Sequence, residues 1–161
     1  MATGDFGSFA RSVPAAALIV TADTGASHEG CLVGFATQAS IHPPRLLVCL
    51  SVKNATLGAA LDATHLGVHL IPAERPDLAE LFGGQTGDDV DKFAACTWDV
   101  GPGGAPLLSE CPMRCACRIL KRYPFGDHVG FLLEPVATWI ADPFEPLDIR
   151  DAGGIPPGHA P

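Results

Sequence analysis

The sequence is short of positive charge. Ten Lys and Arg face 18 Asp and Glu, a net charge of −8 with His neutral. Meeting nucleic-acid phosphates takes a basic stripe, so no nucleic-acid partner is expected. Long apolar runs are also missing. Nothing approaches the roughly 20 residues a helix needs to cross a bilayer, and no membrane partner is expected. Met1 to Phe9 has no basic stretch followed by an apolar one, which is the pattern of a secretory leader. The expected location is therefore the cytoplasm, where the six cysteines would stay as thiols. These cysteines (Cys31, Cys49, Cys96, Cys111, Cys115 and Cys117) include no C-x2-C pair. Cys115-x-Cys117 suits a strand better than a zinc knuckle, so the cysteines read as small buried hydrophobes and no metal is expected. There is no G-x-S-x-G and no other motif for a Ser/His or Cys/His nucleophile. No internal repeat and no domain boundary is visible.

What is present points to one domain of many short elements. The 161 residues are 47 % hydrophobic, enough to build a core, and 18 Gly and 15 Pro interrupt the chain every few residues. Phe6, Phe9 and Val13 repeat at helical spacing before Pro14 and predict a short amphipathic helix. Ala15 to Thr21 reads as a strand, Asp23 to Gly30 as a turn, and Cys31 to Ser40 as a second extended segment ending at His42-Pro43-Pro44. Arg45 to Val52 is a strand that is apolar on both faces. Asn54 is placed to cap a helix over Leu57 to Ala63. His65 to Ile71 reads as a strand closed by Pro72. Leu78, Leu81 and Phe82 mark a helix ending at Gly83-Gly84, and a further short helix carries Val90 and Phe93. Met113, Cys115, Cys117 and Ile119 alternate with Arg114, Ala116, Arg118 and Leu120, as in a strand with one polar face. His128 to Ile140 is so continuously apolar that both its faces should be covered, by the core on one side and by helices or a second subunit on the other. The tail from Asp142 to Pro161 is rich in Pro and Gly and reads as an extended or disordered arm. The pattern is that of an α+β chain, mainly β with short helices.

Four places could carry chemistry. At Leu50-Ser51-Val52-Lys53-Asn54-Ala55-Thr56 a strand gives way to a helix start with hydroxyls, an amide and one Lys. Free N–H groups and the Lys charge would suit a phosphate, and an ordinary cap beside a solvated Lys explains the same residues. Thr37-Gln38-Ala39-Ser40, before the Pro-Pro pair, could line a cleft or be a strand edge. His65 and His69 would share a metal on a helix, but HLGVHLI reads as a strand, where a lone polar His is the simpler reading. Gly126-Asp127-His128 opens the last strand, either as a turn with local hydrogen bonds or as a His aimed at a ligand.

Taken together, these segments resemble the flavin reductase family of FMN-binding split β-barrels, from about Phe9 to Ile140. The resemblance rests on four stretches in order: the strand Ala17 to Thr21 with its Gly-containing turn; GCLVGFATQASIHPPRLLVCLSVKNAT from Gly30 to Thr56; Asp91-Lys92-Phe93 with Trp98 and Gly104-Ala105-Pro106-Leu107-Leu108; and Gly126-Asp127-His128. It implies that Thr37, Gln38 and Ser40 lie along the isoalloxazine ring. It further implies that Ser51, Lys53, Asn54 and Thr56 hold the FMN phosphate, and that Phe93 and His128 lie where nicotinamide stacks, His128 with the catalytic role. Leu32, Gly34 and Phe35 stand where most members carry hydroxyls, so backbone groups would meet the ring's polar edge. The implied activity is NAD(P)H:flavin oxidoreductase. Hydride would pass from NADH or NADPH to FMN, with FAD as the alternative flavin, and the cofactors would carry the chemistry. The implied assembly is a homodimer, with a flavin-dependent monooxygenase as recipient of the reduced flavin. A non-catalytic FMN carrier or electron-transfer protein is the alternative reading. The flavin-binding domain would span residues 1–141 and the arm 142–161.

Overall fold

In the computed structural model, residues 1, 3–84 and 90–152 are described. A helix, α1 (Phe6–Ser12), is capped by Asp5, whose carboxylate accepts from the Ser8 N–H. It ends before Pro14 as the spacing predicts, yet buries none of its residues in this chain. Next come β1 (Leu18–Asp23), β2 (His28–Val33), β3 (Ala36–Ser40) and β4 (Arg45–Ser51). The helix α2 (Ala55–Asp62), β5 (His65–Leu70) and the helix α3 (Pro76–Gly83) follow, then the short strands β6 (Trp98–Val100) and β7 (Pro106–Leu108), and finally the long hairpin β8 (Arg114–Pro124) and β9 (His128–Trp139). The chain is mainly β with short helices, as the composition implies.

Seven strands form one antiparallel sheet in the order β2-β1-β5-β8-β9-β4-β3. β2 and β3 therefore sit at opposite edges, yet only Gly34 and Phe35 connect them in the chain. A two-residue link spans at most a few ångström per residue, so the sheet must curl until its edges nearly meet. The result is a barrel split between β2 and β3. The Cys49 N–H donates to the Phe35 carbonyl across that seam. Inside the curl, Val20, Cys31, Val48, Leu50, Leu66, Cys117, Phe131 and Leu133 form the core, and Leu57, Ala59 and Ala60 of α2 plug it. A second core lies outside the sheet, where Phe82 of α3, Phe93 and Leu108 of β7 pack over Ile19 and Ile71.

Three sequence expectations need adjustment. The extended segment Cys31 to Ser40 is two strands, because Gly34-Phe35 turns the chain from one sheet edge to the other. The turn expected over Asp23 to Gly30 is shorter, since β2 already starts at His28. The helix expected to carry Val90 and Phe93 is a single 3-10 turn at Lys92–Ala94, its N–H groups capped by Asp91, and Val90 precedes it. The arm is anchored through Ala152, the last residue described. Leu147 is buried, Ala17 donates to its carbonyl at 2.7 Å, and its own N–H donates to Ile71 at 2.8 Å.

Candidate active site

The site forms where the seam of the barrel meets the start of β9. Ser51, the last residue of β4, pairs directly with His128, the first of β9. The Val52 N–H then donates to the Asp127 carbonyl at 2.9 Å, tying the two turns together. After Ser51 the chain must release its strand pairing and start α2, and two local bonds do this. The Lys53 N–H donates to Ser51 Oγ at 3.2 Å, and the Thr56 N–H donates to Asn54 Oδ1 at 3.0 Å, the N-cap expected from sequence.

A pocket of about 220 Å³ opens at this junction. Cys31, Leu32 and Val33 of β2 line one wall, and Cys49, Leu50 and Ser51 of β4 line the other. Gly34 and Phe35 of the seam, Asn54, His128 and Ile149 complete it. Gly34 is required by close approach, because a Cβ there would lie 2.6 Å from Ile149 Cγ1. The arm thus contributes a wall. The Phe35 ring lies 4.8 Å from the His128 ring, centroid to centroid, and Phe35 is exposed at the mouth. His128 Nδ1 lies 2.8 Å from Asp127 Oδ1. This bond is the main reason the Asp127 carboxyl is held below its usual range, with the Lys53 charge a smaller influence. Because that carboxylate can only accept, Nδ1 carries the hydrogen and Nε2 is left free to accept.

Of the residues singled out in the sequence, Ser51, Asn54 and His128 meet at this pocket. Lys53 is exposed beside it, its side chain outside the lining. Thr37, Gln38 and Ser40 lie on β3. Thr37 is exposed, and Gln38 and Ser40 line a separate open groove with Ile41 and His42. Thr56 is buried, with its side chain against the Cys31 thiol. Phe93 is buried too, its ring between those of Phe82, Trp98 and His28. Sequence reasoning missed Phe35, Cys49 and Ile149 as pocket residues. A Gly inside an extended run, at Gly34, was the one local sign of the seam; Ile149 had none. His69 lies on β5, buried, and holds β7 rather than a ligand.

The arrangement offers an aromatic pair, two sheet edges with backbone donors and acceptors, and a hydroxyl and an amide at a helix start. Those are the groups that recognise a flat heteroaromatic ring carrying an anionic tail. A model of the flavin reductase like domain matches residues 10–151. The chain belongs to this family. Among its relatives, the FMN reductase (NADH) RutF of Methylorubrum extorquens is 33 % identical over 68 % of this chain and 53 % of its own length. That of Klebsiella pneumoniae is 35 % identical over 72 % of this chain and 70 % of its own. The chain thus spans between about half and about two thirds of the length of such relatives. An FMN-binding protein from Thermus thermophilus superposes with a TM-score of 0.77 at 27 % identity, covering 86 % of this chain and 78 % of that one. A Streptomyces globisporus NADH:FAD oxidoreductase superposes at 0.78 with 23 % identity, covering 91 % and 90 %, and shares the fold. Among the described residues, no helix is long and apolar enough to cross a membrane.

Proposed function

We propose that the chain is an NADH-dependent flavin reductase that takes FMN, with FAD as the alternative flavin. The observation that carries this reading is the pairing of Ser51 with His128. It brings the start of α2 and an oriented imidazole to one pocket, in a chain of the flavin reductase family. FMN fits the donor set. Ser51, Asn54 and the nearby Lys53 would hold its phosphate, and Phe35 and His128 would border its ring. The exposed Thr37, Gln38 and Ser40 of β3 would reach the ring's outer edge. Thr56 and Phe93 would support the site from behind, Thr56 at the start of α2 and Phe93 beneath Gly30 of β2, where its ring lies 3.4 Å from a would-be Cβ. When bound, FMN supplies the hydride-accepting chemistry, with NADH or NADPH as donor. The protein's part is to hold the two rings in register and exclude water. His128, fixed by Asp127, orients the nicotinamide through Nε2.

A pocket of about 220 Å³ is small beside the 300–1,000 Å³ usual for such ligands, so we propose that a second copy completes it. Phe6 and Phe9 of α1 are 79 % and 65 % exposed, and Val136, Trp139 and Ile140 at the end of β9 are exposed as well. Apolar surface left bare in this way favours a homodimer. Residues 1–141 would be the flavin-binding domain and residues 142–161 the arm that closes it. The six free thiols suit a cytoplasmic setting. A flavin-dependent monooxygenase component would receive the reduced flavin.

The test is NADH oxidation by the purified chain with FMN, followed by the loss of NADH absorbance, with NADPH and FAD as comparison substrates. Turnover that requires both NADH and flavin supports the reductase. Tight flavin binding without any turnover would replace it with the carrier reading. Light scattering that gives a monomer mass with flavin present would overturn the dimer.

A further inference from the structure

The barrel carries a second chemically distinctive cluster, at the far end of β9 from the pocket. Cys115 and Cys117 lie two residues apart on β8, and alternate residues of a strand share one face about 6.6 Å apart. That is within the Cα separation, about 4.4–6.8 Å, that a disulfide can span. Their sulfurs are already 3.5 Å apart. Opposite them β9 carries one extra residue, Val136, at a register shift. The shift turns Thr138 onto the same face, and its Oγ1 lies 3.3 Å from Cys115 Sγ. The two thiols are not equivalent. Cys117 is fully buried in the barrel core, whereas Cys115 is partly exposed beside the exposed Thr138. One sulfur can be reached from solvent and the other sits sealed behind it.

We propose that Cys115 and Cys117 form a redox-active dithiol that hydrogen peroxide oxidises to an intrachain disulfide, with Cys115 as the attacking sulfur and Cys117 as the resolving one. In the first step the Cys115 thiolate attacks one peroxide oxygen. An S–O bond forms, the O–O bond breaks, and the departing hydroxide takes a proton to become water. Cys115 is oxidised by two electrons to a sulfenic acid and the peroxide is reduced. In the second step Cys117 Sγ attacks the Cys115 sulfur. The S–S bond forms, the S–O bond breaks, and the hydroxyl leaves as water with the Cys117 proton. Two thiols and one peroxide become one disulfide and two waters. The sulfurs must close from 3.5 Å to about 2.05 Å, a movement that rotation of the more open Cys115 side chain can supply.

The electrostatics favour the same division of roles. The Cys117 S–H donates toward Cys115 and holds its thiol below the usual range, with Thr138 assisting, while Cys117 itself is held above. Burial pushes the other thiols up, Cys31 and Cys96 to about 11 and Cys111 to about 12, with Cys49 raised as well. Thiolates are the reactive form, so these four are disfavoured as nucleophiles. The site does not rest on the reductase reading.

The experiment treats the folded, full-length chain with limiting hydrogen peroxide, alkylates the remaining thiols and digests with trypsin. Cleavage after Arg114 and Arg118 releases both cysteines in a single four-residue peptide. That peptide is expected to be two hydrogens lighter and to escape alkylation, at least about 10-fold faster than Cys49 or Cys96 is modified. In Cys117→Ala the same treatment should leave Cys115 as a sulfenic acid that dimedone traps. Alkylation of both Cys115 and Cys117 after peroxide has modified Cys49 or Cys96 would overturn the proposal. Failure of dimedone to label Cys115 in a folded Cys117→Ala would do so too.

Discussion

Lowering the pH should destabilise this fold through His69 by a predictable amount. His69 lies on β5 between Ile19 of β1 and Arg114 of β8. The Leu108 N–H donates to its Nε2 at 2.9 Å, and Nδ1 lies 3.0 Å from the Ile19 carbonyl. A backbone N–H can only donate and a carbonyl can only accept. The ring is therefore neutral, with its hydrogen on Nδ1. Charging it would put a proton on Nε2 against the Leu108 N–H, inside the core. Burial accordingly lowers its pKa from 6.5 to about 4; the Ile19 bond opposes this and the Arg114 charge adds to it. Above pH 6.5 neither the folded nor the unfolded chain protonates this group, and its full contribution is present. Between 6.5 and about 4 the unfolded chain takes up a proton that the folded chain refuses, so stability falls as pH falls. The loss approaches about 1.4 kcal/mol per pH unit and totals about 3 kcal/mol. Below about 4 both states are protonated and the loss stops. Urea unfolding of the wild type and of His69→Gln, from about pH 7.5 to about pH 4.5, isolates this term because the other five histidines are common to both. The wild type should lose about 3 kcal/mol more than the variant across that window. Parallel profiles would show that His69 charges freely in the fold, and the two-bond geometry would then be wrong.

Other outcomes follow from the pocket and the sheet. Lys53→Ala should weaken FMN binding about 10- to 100-fold while leaving riboflavin nearly unchanged, the scale of one charge-assisted hydrogen bond to phosphate; calorimetric titration with both ligands checks it, and equal losses would put the phosphate elsewhere. His128→Ala should leave FMN affinity within about a few-fold but slow flavin reduction, or raise the Michaelis constant for NADH, by about 10-fold or more, as read by stopped-flow absorbance. Gly67→Ala should cost about 2–3 kcal/mol or more in urea unfolding. Its Cβ would lie 2.3 Å from Thr21 Oγ1 and 2.6 Å from the Pro106 carbonyl, which Thr21 Oγ1 itself bonds. A wild-type midpoint there would mean that β7 can move away from β5.

The sequence was most legible where local rules decide the outcome. Asn54 caps α2 because an amide before a helical run satisfies a free N–H wherever the chain goes. The apolar runs at β1, β4, β5 and β9 were legible for a similar reason, as was the end of α3 at Gly83-Gly84. The strands β6 and β7 were not. Each has three residues, too few for a period, and β7 is held in place by Thr21 and His69 from elsewhere in the chain. The short 3-10 turn at Lys92 is likewise fixed from outside. Lys92 Nζ is buried and donates to the carbonyls of Gly30 and Phe82, and this draws Phe93 into the second core.

The candidate site divides along the same line. Ser51, Asn54 and His128 could be named from sequence because each sits at an end of an element with a recognisable local pattern. That they form one pocket depends on a register, Ser51 opposite His128, between residues 77 positions apart. No local signal encodes that distance; it is set by the apolar faces of β4 and β9, since slipping by one residue would turn Phe131 and Leu133 out of the core. Core packing thus fixes the alignment of the site. The same logic explains the seam. Two residues between β2 and β3 can join opposite sheet edges only if the sheet curls, and the curl leaves β2 and β4 facing each other with room between them. A side chain at Gly34 would meet Ile149 there, so the glycine, the arm and the pocket wall are one packing solution. On this reasoning, ring recognition by this chain rests more on backbone edges and Phe35 than on hydroxyl side chains.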